Sequence, residues 1–193
     1  MLRRVLAWMA AVLAGVALGA ASAWGAMSIG GASFGQEVGQ WTTNRATGST
    51  AADPYTRAIV ARVGLLALSS REAIYFNLDR DDRGEPLSES CIYELTGREL
   101  DARWWSVTLY ADDNYLAQNS DHAASIDASH IPSGRWSARI APVRGDATYW
   151  LSSREARRNF SLTLRVYNPQ RDFRPNEETL PQLTRISCAG EAA

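Results

Sequence analysis

Two stretches decide the fold: Arg103-Trp104-Trp105-Ser106-Val107-Thr108-Leu109-Tyr110 and Phe160-Ser161-Leu162-Thr163-Leu164-Arg165-Val166-Tyr167. Each alternates with period two. Side chains on a strand point to opposite faces in turn, so Trp105, Val107 and Leu109 share one side while Trp104, Ser106, Thr108 and Tyr110 share the other. Phe160, Leu162, Leu164 and Val166 likewise oppose Ser161, Thr163, Arg165 and Tyr167. Such patterning predicts half-buried strands. The same period holds around Ile74, Phe76 and Leu78, around Cys91, Tyr93 and Leu95, and around Trp136, Ala138 and Ile140. Turn chemistry separates them, as in Asp112-Asp113-Asn114 and Pro132-Ser133-Gly134. Weaker strands are expected near 115–118, 124–127 and 183–188. Asp53-Pro54 has the form of a helix start, and Ile59, Val60, Val63, Leu66 and Ala67 then fall on one helical face, so a helix is expected over 54–68. The pattern as a whole predicts a mainly β chain, an antiparallel β-sandwich with one N-terminal α-helix.

Ahead of this domain the pattern changes. Residues 5–27 carry no charge and hold 19 apolar side chains. A bilayer-spanning helix needs about 20 such residues. A cleaved signal peptide has a shorter apolar region and a small-residue cleavage site. Ala21-Ser22-Ala23 offers that site, while the length of the run and Trp24 at its end suit an uncleaved anchor. Both readings are kept, with the anchor preferred. Arg3 and Arg4 precede the run and the next basic residue is Arg45. The positive-inside rule then leaves the N-terminus in the cytoplasm and exports the rest. The expected setting is the bacterial inner membrane with a periplasmic C-terminal domain, or secretion after cleavage. Within the run, Ala11, Gly15, Gly19 and Ala23 recur every four residues. Gly15 and Gly19 form a small-residue motif that permits close helix packing and so a homodimer, though a span rich in Ala and Gly produces it by chance as well.

The expected division is a membrane or signal segment at 1–27, a Gly/Ser/Thr-rich linker at 28–52 in which Val38 and Trp41 are candidates to touch the domain, a β domain at 53–188 and a tail at 189–193. Cys91 and Cys188 are the only cysteines. In an exported domain an even count favours a disulfide between them over two buried thiols. The 20 basic residues are all arginine, which excludes Schiff-base and lysine-base chemistry. Setting aside Arg3 and Arg4, 18 Arg face 21 acidic residues, a balance of −3. Bulk charge therefore favours neither nucleic acid nor an acidic membrane surface, nor polyanions in general, as partners.

Together with Asp81-Asp82-Arg83-Gly84-Glu85-Pro86-Leu87, Tyr149-Trp150-Leu151 and Leu162-Thr163-Leu164-Arg165-Val166-Tyr167-Asn168-Pro169, the stretch at 103–110 resembles the Domain of Unknown Function 1214 family. The resemblance covers about residues 53–188. It implies a jelly-roll-like β-sandwich, in some members behind a short membrane segment. It carries no catalytic residues. Ser152 stands where the family pattern usually has Pro, which bears on the turn there.

No Gly-x-Ser-x-Gly elbow is present, and His122 and His130 stand eight apart without His or Cys companions, so neither a nucleophilic hydrolase nor a zinc site is indicated. Counted from Asp79, Gly84 falls at the sixth position of a calcium-type loop, but Arg83 and Ser90 occupy ligand positions, and an acidic turn is the better reading. Arg154, Arg157 and Arg158 read as a solvated loop or an anion contact. The most suggestive feature is the non-core side of the two deciding strands. Trp104, Tyr110, Arg165 and Tyr167 fall there, aromatic rings beside a guanidinium, a surface able to stack on a sugar or hold an anion unless a helix covers it. No cofactor is implied. The expected function is a non-catalytic binding or structural module for an envelope polysaccharide or lipid head group. The alternative is a hydrolase acting on envelope carbohydrate, for which no spacing selects a carboxylate pair.

Overall fold

The computed structural model describes residues 1–30, 35–44, 52, 54, 57–58, 61, 68–69 and 72–190. Helix α1 spans Leu2–Gly30. Its stretch Leu2–Gly25 is long and apolar enough to cross a membrane, and none of it is buried against the rest of the chain. At 1.5 Å per residue the helix is about 40 Å long. Gly15 and Gly19 have open space where a side chain would stand, so that stripe is unobstructed within the chain.

Ten strands follow: β1 Gln36–Val38, β2 Trp41–Thr43, β3 Ala73–Leu78, β4 Cys91–Arg98, β5 Ala102–Tyr110, β6 Ser125–Asp127, β7 Arg135–Ala141, β8 Trp150–Ser152, β9 Ser161–Pro169 and β10 Gln182–Cys188. They form a six-stranded sheet, β1-β2-β3-β9-β5-β6, and a four-stranded sheet, β10-β4-β7-β8. All five strongly alternating segments are strands, as the period-two reading expects, and so are 124–127 and 183–188 within a residue or so. Segment 115–118 is not a strand. It belongs to a turn closed by the Ala111 N–H on the Tyr115 carbonyl at 2.8 Å. Pairing is antiparallel except between β7 and β8, which run parallel with Arg139 opposite Trp150. The helix expected over 54–68 falls mostly outside the described residues; Pro54, Arg57, Ala58 and Ala61 are described and helical.

One difference concerns the linker. Residues 36–43 are a hairpin on the edge of the larger sheet, with Thr42 opposite Asn77. Gly39 makes the turn at φ 61°, a conformation that favours glycine. Trp41 is fully buried and donates its indole N–H to the Pro181 carbonyl at 2.6 Å. Gly39 therefore marks a tight turn here, not a spacer.

The sheets share a single core. Phe76, Val107, Leu109, Leu162 and Leu164 from the larger one meet Tyr93, Leu95, Ala138, Ile140 and Leu183 from the smaller. Each fully buried Leu contributes about 1.5–3 kcal/mol relative to exposure. Trp105 stacks on Trp136 across the sheets, with centroids 5.1 Å apart and planes 16° off parallel. That stacking needs a bare backbone at Gly97, where an added Cβ would lie 2.3 Å from the Trp136 ring. Cys91 and Cys188 are bonded and stand directly opposite each other, locking β10 onto β4.

Candidate functional site

The non-core face of the six-stranded sheet carries the four residues singled out by alternation. Strand pairing sets them in rows. Ala73, Tyr167 and Trp104 make one row; Tyr75, Arg165, Ser106 and Asp127 make the next; Asn77, Thr163, Thr108 and Ser125 make a third; Ser161 and Tyr110 close the set. The Trp104 and Tyr167 rings lie 5.3 Å apart at a tilt of 52°. The Trp104 indole N–H donates to Ser129 Oγ at 2.8 Å, which fixes the ring's orientation. The Arg165 guanidinium sits 5.4 Å from the Tyr110 ring centroid. It donates to Thr108 Oγ1 at 3.0 Å and to the Tyr110 hydroxyl.

All four residues are partly buried, neither sealed nor fully open. Between them Ser106, Thr108 and Thr163 are only 6–8% exposed, unusually deep for polar side chains on the side away from the core. The Tyr75 hydroxyl accepts the Leu68 N–H at 3.1 Å, so the chain preceding β3 reaches this face. Alternation already placed Tyr75, Asn77, Ser106, Thr108 and Thr163 on this side. Asp127 is an addition that only strand pairing reveals, because β6 has too few residues to show a period, and Ser129 is one that only its bond with the Trp104 indole reveals. Asp127 accepts the Ser129 N–H at 2.8 Å and meets His130 Nδ1 at 3.0 Å.

Other candidates have structural employment. In the acidic turn, Asp81 Oδ1 accepts the N–H groups of Arg83 and Glu85, both at 2.9 Å, and Oδ2 pairs with the Arg185 guanidinium at 3.1 Å. The Asp81 side chain is fully buried in that pair. Its oxygens thus staple β10 to the turn, and the lysine-free chain uses arginine for a buried ion pair. Nearby, burial pushes the Tyr93 phenol above its ordinary range. Arg154 pairs with Asp121, which also accepts Ser152 Oγ at 2.6 Å. The Ser152 hydroxyl and the guanidinium hold the Asp121 carboxyl below its usual range. Serine at 152 is therefore not a neutral replacement: its hydroxyl is the first partner of that carboxylate. Glu89 accepts the N–H groups of Glu155 and Arg157, both at 3.1 Å, where Glu155, Arg157 and Asn159 all have positive φ. Successive N–H groups in such a run form an anion-binding concavity, and Glu89 fills it. Among the described residues no group of three His, Cys, Asp or Glu is placed to hold a metal. An open groove of about 690 Å³ lies elsewhere, beside Thr96, Arg98, Trp136 and Leu180, and holds none of the four face residues.

An apolar helix of membrane length ahead of a two-sheet β domain is the class that the fold defines. Within it, the family described as Protein of unknown function (DUF1214) matches residues 72–171, which are 100 of the 193 residues, and the chain belongs to that family. It is similar to the crystal structure of the VPA0106 protein from Vibrio parahaemolyticus, at 20% identity and a TM-score of 0.55, over 71% of this chain and 36% of that one. It is also similar to an uncharacterised protein from Burkholderia cenocepacia, at 14% identity and a TM-score of 0.44, over 58% of this chain and 30% of that one. This chain thus spans about a third of each of those structures. The first likeness supports the fold. No curated protein matches the chain.

Proposed function

We propose that this protein is a membrane-anchored, non-catalytic module that binds a cell-envelope polysaccharide on the outer face of its six-stranded sheet. In this reading α1 stays uncleaved in the bacterial inner membrane, with the N-terminus cytoplasmic and the β domain periplasmic. The observation that carries it is the pairing of Trp104 with Tyr167 beside Arg165 and a row of hydroxyls. Aromatic faces stack on the apolar faces of sugar rings, and hydroxyls and a guanidinium satisfy their oxygens. Two-sided burial of β5 and β9 supports a face organised for more than solvent contact. Polysaccharide retention by the full-length chain in a sugar-free non-ionic detergent tests it. Trp104→Ala and Tyr167→Ala should each abolish retention while the melting temperature stays within a few degrees of the native value. Undiminished retention, or unfolding in place of lost binding, would defeat the assignment. An inactive C-terminal alkaline phosphatase fusion would defeat the topology.

A further inference from the structure

Among the described residues the guanidinium of Arg165 forms no ion pair. It lies on a central strand, β9, flanked in its row by Tyr75 on β3 and Ser106 on β5. Its hydrogen bonds go to the neutral hydroxyls of Thr108 and Tyr110, and its other neighbour is the Tyr110 ring. The salt bridges of the described residues tie arginines 154, 157 and 185 to aspartates, and none of them involves Arg165. The nearest acidic side chain in its row is Asp127, two strands away and so about 9–10 Å distant. Asp127 is already engaged by the Ser129 N–H and by His130. Taking a cation even partly out of water without an anion beside it is costly. The contrast with Arg185 is direct: that arginine is paired with the buried Asp81 carboxylate. Two hydroxyls and a ring orient the Arg165 fork but do not neutralise it, and a guanidinium has five N–H donors to offer.

We infer that Arg165 is the anion-recognition point of the face, and that the polysaccharide it takes is acidic, with a carboxylate on the sugar. This rests on the proposed function and specifies its ligand class. The carboxylate meets the Arg165 fork, which reaches along the face to Thr108 and the Tyr110 ring, and charge-assisted paired hydrogen bonds form there, while a further sugar of the same polymer lies against Trp104 and Tyr167 at the other end of the face. Aromatic rings along the face, Tyr110 at the cation and Trp104 with Tyr167 beyond it, suit a polymer of sugar acids more than a bare phosphate, which has no ring face to stack.

The test compares one polymer in two charge states. Full-length protein in sugar-free non-ionic detergent is run against immobilised polygalacturonate and against its fully methyl-esterified form, at fixed ionic strength. The native chain should bind the acid form at least roughly tenfold more tightly, as one charge-assisted contact supplies. Arg165→Gln should bring the two forms level and leave the melting temperature unchanged or raised, because an unpaired cation has been removed. Equal native binding to both forms would overturn the acidic specificity and leave the polysaccharide reading standing. Binding to neither would overturn both. Displacement by inorganic phosphate but not by free galacturonate would overturn the sugar-acid assignment in favour of a phosphate. A large drop in melting temperature for Arg165→Gln would make the arginine a structural residue and overturn the inference.

Discussion

The two faces of the six-stranded sheet are built by the same strands and differ in every other respect. On the core side Phe76, Leu164, Val107 and Ile126 run in one row across β3, β9, β5 and β6, and three of the four are wholly buried. One step along each strand, the opposite side presents Tyr75, Arg165, Ser106 and Asp127. Hydrocarbon on the first side needs no partner but itself. The second side holds polar atoms at low exposure, each of which needs a hydrogen bond, and a cation that has only neutral ones. A sheet face covered merely for stability would be filled more cheaply by apolar side chains. The difference separates a face that holds the fold together from the face on which we propose that the ligand binds.

The sharpest contrast is between neighbours. Leu164→Ala should lose about 2–5 kcal/mol in urea unfolding, because the vacated volume cannot collapse in a shared core. Ser161→Ala, on the opposite face at the rim, should change stability by less than about 0.5 kcal/mol. Similar losses at the two positions would erase the distinction. Next in size is the disulfide. Replacing both cysteines by serine should cost about 2–4 kcal/mol, since the bridge closes a span of 97 residues, yet leave polysaccharide retention intact because β10 belongs to the other sheet. Gly97→Ala should cost about 1–3 kcal/mol by pushing Trp136 off Trp105, a core effect again without loss of retention.

The smallest effect is tied to pH. Asp121 has its pKa lowered in the folded state by Ser152 and Arg154. A depressed carboxyl stabilises the fold above its unfolded value, about 3.9, and that stabilisation fades as pH falls through the lower folded value. Melting temperatures of the native chain and of Asp121→Asn should therefore differ at neutral pH and converge only below about pH 4. A gap that persists in acid would assign the effect to something other than the charge.

Most of this architecture is legible in the residues. Period-two alternation located β3, β4, β5, β7 and β9 and separated their two faces, because a half-buried strand imposes that period on its own sequence. The apolar run up to Met27 stands out for the same local reason, and the pairing of Cys91 with Cys188 was legible because the chain has only those two cysteines. What escaped is non-local. Trp41 reads as a candidate contact within a linker, but that 36–43 is a hairpin on the sheet edge, with the Trp41 indole bonded to Pro181 140 positions away, is not written locally. Asp81 reads as one acid among several until Arg185 arrives from β10. Glu89 carries no sign that it will hold the backbone of Glu155 and Arg157. Trp104, Tyr110, Arg165 and Tyr167, with Tyr75, Asn77, Ser106, Thr108 and Thr163 between them, were legible from alternation alone; Asp127 and Ser129 were not, since only the pairing of β6 with β5 and the Trp104 bond to Ser129 bring them in.

The central claim is that ligand covers the Trp104–Tyr167–Arg165 face, and hydroxyl-radical footprinting of the full-length chain tests it directly. With polygalacturonate bound, oxidation of Trp104, Tyr110 and Tyr167 should fall together, while Tyr115, 71% exposed on its own turn, should react as before. Unchanged oxidation of all three, or protection centred on Trp136 and its groove, would contradict it.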